Sequence, residues 1–387
     1  MLIKQAVIVC GGLGSRLGKI TKKVPKPLIK ANGKTLIEHI LKNLSRFGIS
    51  EVLLLCGYKH ILFKRKFHNK FFYGIKIRCV IERKALGTSG ALLNAKKYLK
   101  NFFLYSNGDT LFDINISDLT YNFFKKKKIA LVALKQINLL DRYDGYKIDK
   151  KNSLILKQDN NSKYINSGII IFSKKIVKYL IPNSSLEKKI FPKLIMEKKI
   201  ACKVYKNDFL DIGVKKDLKK LEKFLKKISF KPALFMDRDG VINKDIGYLH
   251  KKKDLLWRKN IFNFVKKYND KNYYIFVITN QSGIGRGYYT EKDVKTLHIW
   301  MNNNFLKKGA HIDEFFFAPY YKYSKNSIYR KNKKLRKPNI GMIKSAQKNW
   351  NVNIKNSLLI GDQNTDKLTA IKAKINYKIL TFKNLLK

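Results

Sequence analysis

Two aspartates, Asp237 and Asp239, stand one residue apart directly behind an apolar run in ALFMDRDGVINKD, residues 233–245. On an extended strand, residues two apart face the same side, about 7 Å from each other. Both carboxylates can therefore address one substrate from the edge of a sheet, and Gly240 lets the chain turn sharply behind them. A single carboxylate at a strand end is equally a turn or cap residue. Near the start, VIVCGGLGSRLG at 7–18 puts glycines after a strand, where backbone amides come close to a phosphate. Alone this is a weak signal. It matches neither GxGxxG nor the P-loop, because Gly18-Lys19 is followed by Ile20, and a tight strand-to-helix turn uses the same residues.

These groups need a scaffold, and the chain supplies two. Its 387 residues exceed what one core usually needs. Up to about residue 225, short apolar runs (AVIVCGG, EVLLLCGY, KIRCVIE, FFLYSNGD) alternate with amphipathic stretches such as TLIEHILKNLSRFG. That rhythm predicts α/β architecture with a largely parallel sheet. VKKDLKKLEKFLKKI at 214–228 spaces Leu218, Leu221, Phe224 and Leu225 along one helical face. A short SFKP then leads to a new strand, which places a boundary near 227–231 and domains at 1–228 and 229–387. The second half repeats the rhythm with YYIFVITNQSG, a helical stretch at 291–307, EFFFAPY and NSLLIGDQNTD. Residues 320–337 have weak periodicity and read as an exposed loop.

In combination the early motifs say more. GGLGSRL, VPKPLI (24–29), IERKALGTSGAL (81–92), SNGDT (106–110), INSGI (165–169) and FLDIG (209–213) follow in order. Together they resemble the sugar-phosphate nucleotidyltransferases, and within them the compact branch of heptose 1-phosphate guanylyltransferases. The resemblance implies a Rossmann-like, GT-A-like mixed sheet in which a sugar 1-phosphate oxygen attacks the α-phosphorus of a nucleoside triphosphate. Both reactants are anions, so cations must hold them together. It further implies that Gly11, Gly12 and Gly14 cradle the triphosphate, that Arg16 and Lys26 neutralise the phosphates, and that Asp109 and Asp211 hold Mg2+. Glu82, Gly87 and Thr88 would border the nucleotide or sugar pocket, and Asn166 would contact the sugar. Two departures stand out. Ser15 replaces the family's common threonine, and LKQDN at 156–160 blurs a Phe-x-Glu-Lys signature, with Asp159 in the glutamate's place.

The second set resembles the haloacid dehalogenase phosphatases. DRDG is followed in order by VITNQSG (277–283), LRKPNIGM (335–342) and LIGDQNTD (359–366). The resemblance implies a Rossmannoid domain with Asp237 as nucleophile and Asp239 as general acid and base. A carboxylate approaching a phosphate is repelled by about 4 kcal/mol per pair of unit charges at about 4 Å and an effective dielectric near 20. A cation must offset this. Mg2+ held by Asp237, the Asp239 carbonyl and Asp362 meets that need, with Lys337 neutralising the phosphoryl group and Asp366 orienting Lys337 or the metal shell. Thr279 and Asn280 would hold phosphate oxygens and Arg336 a substrate phosphate. DIGYLH (245–250) and TNQSGIGRGYYTEKD (279–293) narrow the resemblance to heptose 1,7-bisphosphate and histidinol-phosphate phosphatases. Many of these carry a zinc loop. APYYKY (318–323) and KKLRKP (333–338) have no cysteine or histidine at the matching positions, so no structural zinc is expected.

The two sets combine into one expectation: the second domain removes the 7-phosphate of a heptose bisphosphate, and the first attaches a nucleotidyl group, GMP in preference to AMP, to the remaining 1-phosphate. A hexose 1-phosphate transferase fused to a histidinol-phosphate-type or other sugar phosphatase is the alternative. A net charge of +56 raises a different class, a nucleic-acid binder with decayed enzyme domains. The lysines are spread along the whole chain, however, as A+T-rich coding drift would spread them, and every catalytic position is filled. No specific nucleic-acid partner is expected. Four scattered cysteines (Cys10, Cys56, Cys79, Cys202) without a CxxC pair suggest a reduced, cytoplasmic protein. No apolar run reaches the roughly 20 residues of a membrane span.

Overall fold

The strand QAVIV, Gln5–Val9, is flanked on both sides by parallel strands, Glu51–Cys56 and Phe102–Asn107. In the computed structural model, which describes residues 1–137, 145–149, 154–156 and 163–380, the chain divides into two units, Met1–Leu225 and Lys226–Lys387. The division falls within the helix Lys215–Ser229, whose buried side chains are Leu221 and Leu225. Asp159 lies outside the described residues.

In the first unit the sheet runs Leu154–Leu156, Gly145–Ile148, Tyr164–Ser173, Phe102–Asn107, Gln5–Val9, Glu51–Cys56, Ile75–Ile81, Phe71–Phe72. The half around Gln5–Val9 is parallel, while Tyr164–Ser173 is antiparallel to both Phe102–Asn107 and Ala130–Gln136. The sheet is thus mixed, with the parallel half carrying the glycine loop. Ala6, Val7 and Ile8 are fully buried, because helices cover both faces of a parallel strand and leave no polar side. Phe103, Tyr105 and Phe172 fill one face of the core.

The second unit is a five-stranded, all-parallel sheet in the order Glu314–Ala318, Tyr274–Asn280, Ala233–Met236, Leu358–Gly361, Asn376–Ile379. The strand Ala233–Met236, which leads into Asp237, is central, so both neighbours deliver their ends beside it. Connections outward from a central strand place ligands at these carboxyl ends. Residues 320–337 are not a plain loop. They include the one-turn helix Ser327–Lys331 and the turn Asn332–Lys334, too short to show a 3.6-residue period. The Arg286 guanidinium lies 3.9 Å from the centroid of the Tyr321 ring, the Tyr321 amide donates to the Tyr329 carbonyl, and Tyr329 packs against Ile284, Tyr289 and Val294. A cation–π stack and aromatic packing order this segment.

Candidate active sites

In the first unit, Gly11 and its successors leave the end of Gln5–Val9. Gly14 has φ +63°, and a Cβ there would lie 2.9 Å from Thr21 Cγ2, so only glycine suits the position. Gly12 faces open space. Gly11 lies against Glu82, whose carboxylate would be 3.3 Å from an added Cβ. Glu82 follows the strand Ile75–Ile81; its Oε1 is buried without a hydrogen-bond partner, and burial raises its carboxyl above the usual range.

Asp109 occupies the turn between Phe102–Asn107 and Thr110–Phe112, and Asp211 ends the strand Phe209–Asp211. Antiparallel pairing sets Asp211 opposite Thr110, and the Ile212 amide donates to the Asp109 carbonyl at 3.0 Å, so the two residues come to one edge. Lys26 Nζ is 2.6 Å from Asp109 Oδ2. Arg16 is exposed. Gly87 is exposed and Thr88 half-buried; Thr88 Oγ1 accepts from the Leu186 amide at 2.8 Å, and a Cβ on Gly87 would meet the Ser184 carbonyl at 2.4 Å. Asn166 donates to Glu187 Oε1 at 3.3 Å and accepts from the Gly168 amide. Glu187 had no motif to announce it.

In the second unit, four predicted residues converge. Lys337 Nζ is 2.8 Å from Asp237 Oδ2 and 2.6 Å from Asp366 Oδ1, and the lysine is almost wholly buried. Burial would lower the Lys337 ammonium, but the two carboxylates outweigh it and its pKa is raised. Burial pushes the Asp237 carboxyl up to about 7; Lys337 opposes that and Asp366 reinforces it. Carboxylate oxygens of Asp237, Asp362 and Asp366 lie within 4.8 Å of one another. Asp362 Oδ1 is buried without a hydrogen-bond partner. Hard oxygen donors gathered this closely, one of them orphaned, fit a divalent cation such as Mg2+. Gly240 has φ +84°, and a Cβ there would lie 1.9 Å from Asp362 Oδ2, so this glycine permits the cluster.

Asn280 clamps the next segment: its Oδ1 accepts from the Lys337 amide at 3.0 Å and its Nδ2 donates to the Lys337 carbonyl at 3.3 Å. Thr279 is buried at the end of the adjacent strand. Arg336 Nη1 is buried with no partner, and burial lowers the guanidinium's pKa. Asp239 departs from the acidic cluster. Its carboxylate turns to Arg238, Gln281 and Asn243, three residues that the motif reading did not single out.

Comparison with known proteins agrees with both units. Residues 5–228 match the family model described as Nucleotidyl transferase, and residues 233–381 match that described as Polynucleotide kinase 3 phosphatase. A D-glycero-alpha-D-manno-heptose 1-phosphate guanylyltransferase of Campylobacter jejuni is 40% identical over 222 residues, 55% of this chain and 96% of that protein. A D-glycero-alpha-D-manno-heptose-1,7-bisphosphate 7-phosphatase of Photorhabdus laumondii is 43% identical over 132 residues, 34% of this chain and 72% of that protein. Among solved structures, the inositol-1-phosphate CTP transferase of T. maritima shares the first unit's fold with TM-score 0.50 and 19% identity, covering 59% of this chain and 96% of that one. With the first match alone taking in more than half of its 387 residues, the chain belongs to the nucleotidyltransferase family and carries a haloacid dehalogenase-like phosphatase as its second unit.

Proposed function

We propose that the two units catalyse successive reactions: the second removes the 7-phosphate of D-glycero-D-manno-heptose 1,7-bisphosphate, and the first joins GMP from GTP to the resulting 1-phosphate, releasing pyrophosphate. The observation that carries this is the pairing within one chain of two relatives whose named activities share an intermediate. On this reading the two enzymes are residues 1–228 and 229–387, making in the cytoplasm a nucleotide-activated heptose, a donor for surface glycans such as the lipopolysaccharide core.

In the phosphatase unit, an Asp237 carboxylate oxygen bonds to phosphorus as the bond to the sugar oxygen breaks. Asp239 gives that oxygen its proton, then takes one from the water that cleaves the aspartyl-phosphate. Lys337 meets the phosphoryl charge, and Thr279 and the Asn280 amide hold its oxygens. Arg336, with a buried N–H free to donate, suits the phosphate that stays. Mg2+ held by Asp237, Asp362 and the Asp239 carbonyl, with Asp366 beside it, supplies charge neutralisation when bound.

In the transferase unit, Gly11, Gly12 and Gly14 receive the triphosphate. Lys26 and Arg16 neutralise the reacting phosphates and the leaving pyrophosphate, and Asp109 and Asp211 are the residues to hold Mg2+. Asn166 faces the sugar. Glu82, beside the glycine loop with an unpaired buried oxygen, supports guanine. A carboxylate accepts from both N1–H and N2–H of guanine, whereas the same edge of adenine offers one donor and one acceptor.

Phosphorus NMR of the bisphosphate with full-length protein and Mg2+, without nucleotide, tests the first step. The C7 resonance is expected to be replaced by orthophosphate while the C1 resonance persists. Loss of C1, or no turnover, would refute the reading.

A further inference from the structure

Arg238, between the two aspartates, is fully buried, 0% exposed. It lies just past the strand Ala233–Met236, and its guanidinium turns to Asp239, Leu249, Gln281 and His298. A guanidinium does not give up its charge, and burying it needs compensation from every side. Here that is supplied by five acceptor atoms. Nε lies 3.1 and 3.2 Å from Asp239 Oδ1 and Oδ2, and Nη2 lies 2.9 Å from Oδ2, a forked grip on both oxygens. Nη2 also reaches the Leu249 carbonyl at 2.9 Å and Gln281 Oε1 at 3.1 Å. Nη1 is 3.3 Å from His298 Nε2. Burial, and next the neighbouring arginine, hold His298 well below its usual pKa, so the ring is neutral and Nε2 is the acceptor.

The rest of the cradle serves the same carboxylate. Gln281 Nε2 donates to Asp239 Oδ2 at 3.0 Å and to Thr279 Oγ1 at 2.9 Å, joining the proposed acid to a proposed phosphate holder. Asn243 Nδ2 donates to Asp239 Oδ1 at 2.9 Å. A plain structural ion pair would need none of these shared links. We infer that Arg238 is a positioning residue for leaving-group protonation: through its fork it fixes the rotamer of Asp239, and through Leu249 and Gln281 it ties that rotamer to the 245–250 segment and the phosphate site. It touches no substrate. The inference rests on the reading of Asp239 as general acid.

The nature of the leaving group separates positioning from fold maintenance. A sugar alkoxide needs the proton from Asp239 as its bond to phosphorus breaks; p-nitrophenolate leaves without one. Full-length wild type, Asp239→Asn, Arg238→Met and the double variant are assayed on the heptose bisphosphate and on p-nitrophenyl phosphate. Because Asp239 is also the base for the second step on either substrate, the first step is read alone, in a single turnover. Arg238→Met is expected to slow release of the dephosphorylated sugar about 100-fold, the low end for general acid catalysis, with bisphosphate binding and the release of p-nitrophenolate within about 3-fold of wild type. It is expected to cost nothing further in the Asp239→Asn background. Arg238→Lys keeps the charge without the fork, and should show the same selectivity at smaller size; it is the variant read where Arg238→Met does not fold. Equal losses on both substrates would overturn the inference while the acid reading stands, provided Asp239→Asn is itself selective. If Asp239→Asn is not selective, the acid reading falls and the inference with it.

Discussion

Asp237 is the residue on which the phosphatase reading turns. Asp237→Asn keeps the shape but removes the nucleophile, so phosphate release from the bisphosphate should fall on the order of 10³-fold or more, while nucleotidyl transfer to a supplied 1-phosphate is unchanged. Gly240→Ala tests the packing beneath it. With φ +84° and Asp362 Oδ2 at 1.9 Å from the new Cβ, Asp362 must move, and misplacement on that order should cost about 100-fold in phosphatase kcat. At the other site, Glu82→Gln should erase the preference for GTP over ATP measured in competition, because an amide offers guanine one acceptor and opposes the second N–H with a donor. Most of these residues were legible because their chemistry needs them at fixed spacing behind a strand. Arg238 was not. Its type reads as one more surface cation in a lysine-rich chain, and only tertiary structure shows it turned inward. Thr88 is marked by its motif, while the hydrogen bond its hydroxyl oxygen accepts from the Leu186 amide comes from the fold.

Elements are held by devices that sequence partly exposes. The helix Leu36–Ser45 begins with a capping box: the Thr35 amide and hydroxyl donate to Glu38 Oε2 at 2.8 and 2.6 Å, and the Glu38 amide donates to Thr35 Oγ1 at 3.4 Å. Burial would raise the Glu38 carboxyl, but hydrogen bonds from Lys66 and Thr35 outweigh it and hold it at about 2 rather than 4.5. The folded value is depressed, so this contribution is complete above pH 4.5 and is lost as pH falls toward 2. Thr35→Ala should cost about 1 kcal/mol, seen at neutral pH as a Tm lower by about 2–4 °C for the unit that contains it. The Thr-x-x-Glu pattern and the amphipathic face behind it make this helix legible. The helix Ser327–Lys331 was not, since one turn carries no period and its order comes from contacts made elsewhere, Tyr329 on Ile284 and Arg286 on Tyr321. Tyr321→Ala should raise KM for the bisphosphate several-fold by loosening the segment that leads to Arg336, with no response to zinc or to a zinc-selective chelator.

For the chain as a whole, fold class and the presence of two enzymes follow from the ordered motifs, because each set makes sense only on a parallel sheet edge that gathers its members. Strand order could not be read, since apolar runs of similar length and composition do not say which neighbour they choose. The joining of the two activities is a statement about chemistry: one removes a phosphate that the other does not need and leaves intact the phosphate it does. The direct test is a single vessel holding full-length protein, Mg2+, heptose 1,7-bisphosphate and GTP, with orthophosphate, pyrophosphate and nucleotide sugar followed together. Wild type should release both phosphates and form GDP-heptose, and Asp237→Asn should form it only when given the 1-phosphate. Absence of orthophosphate release by wild type, or GDP-heptose made from the bisphosphate by Asp237→Asn, would contradict the coupling.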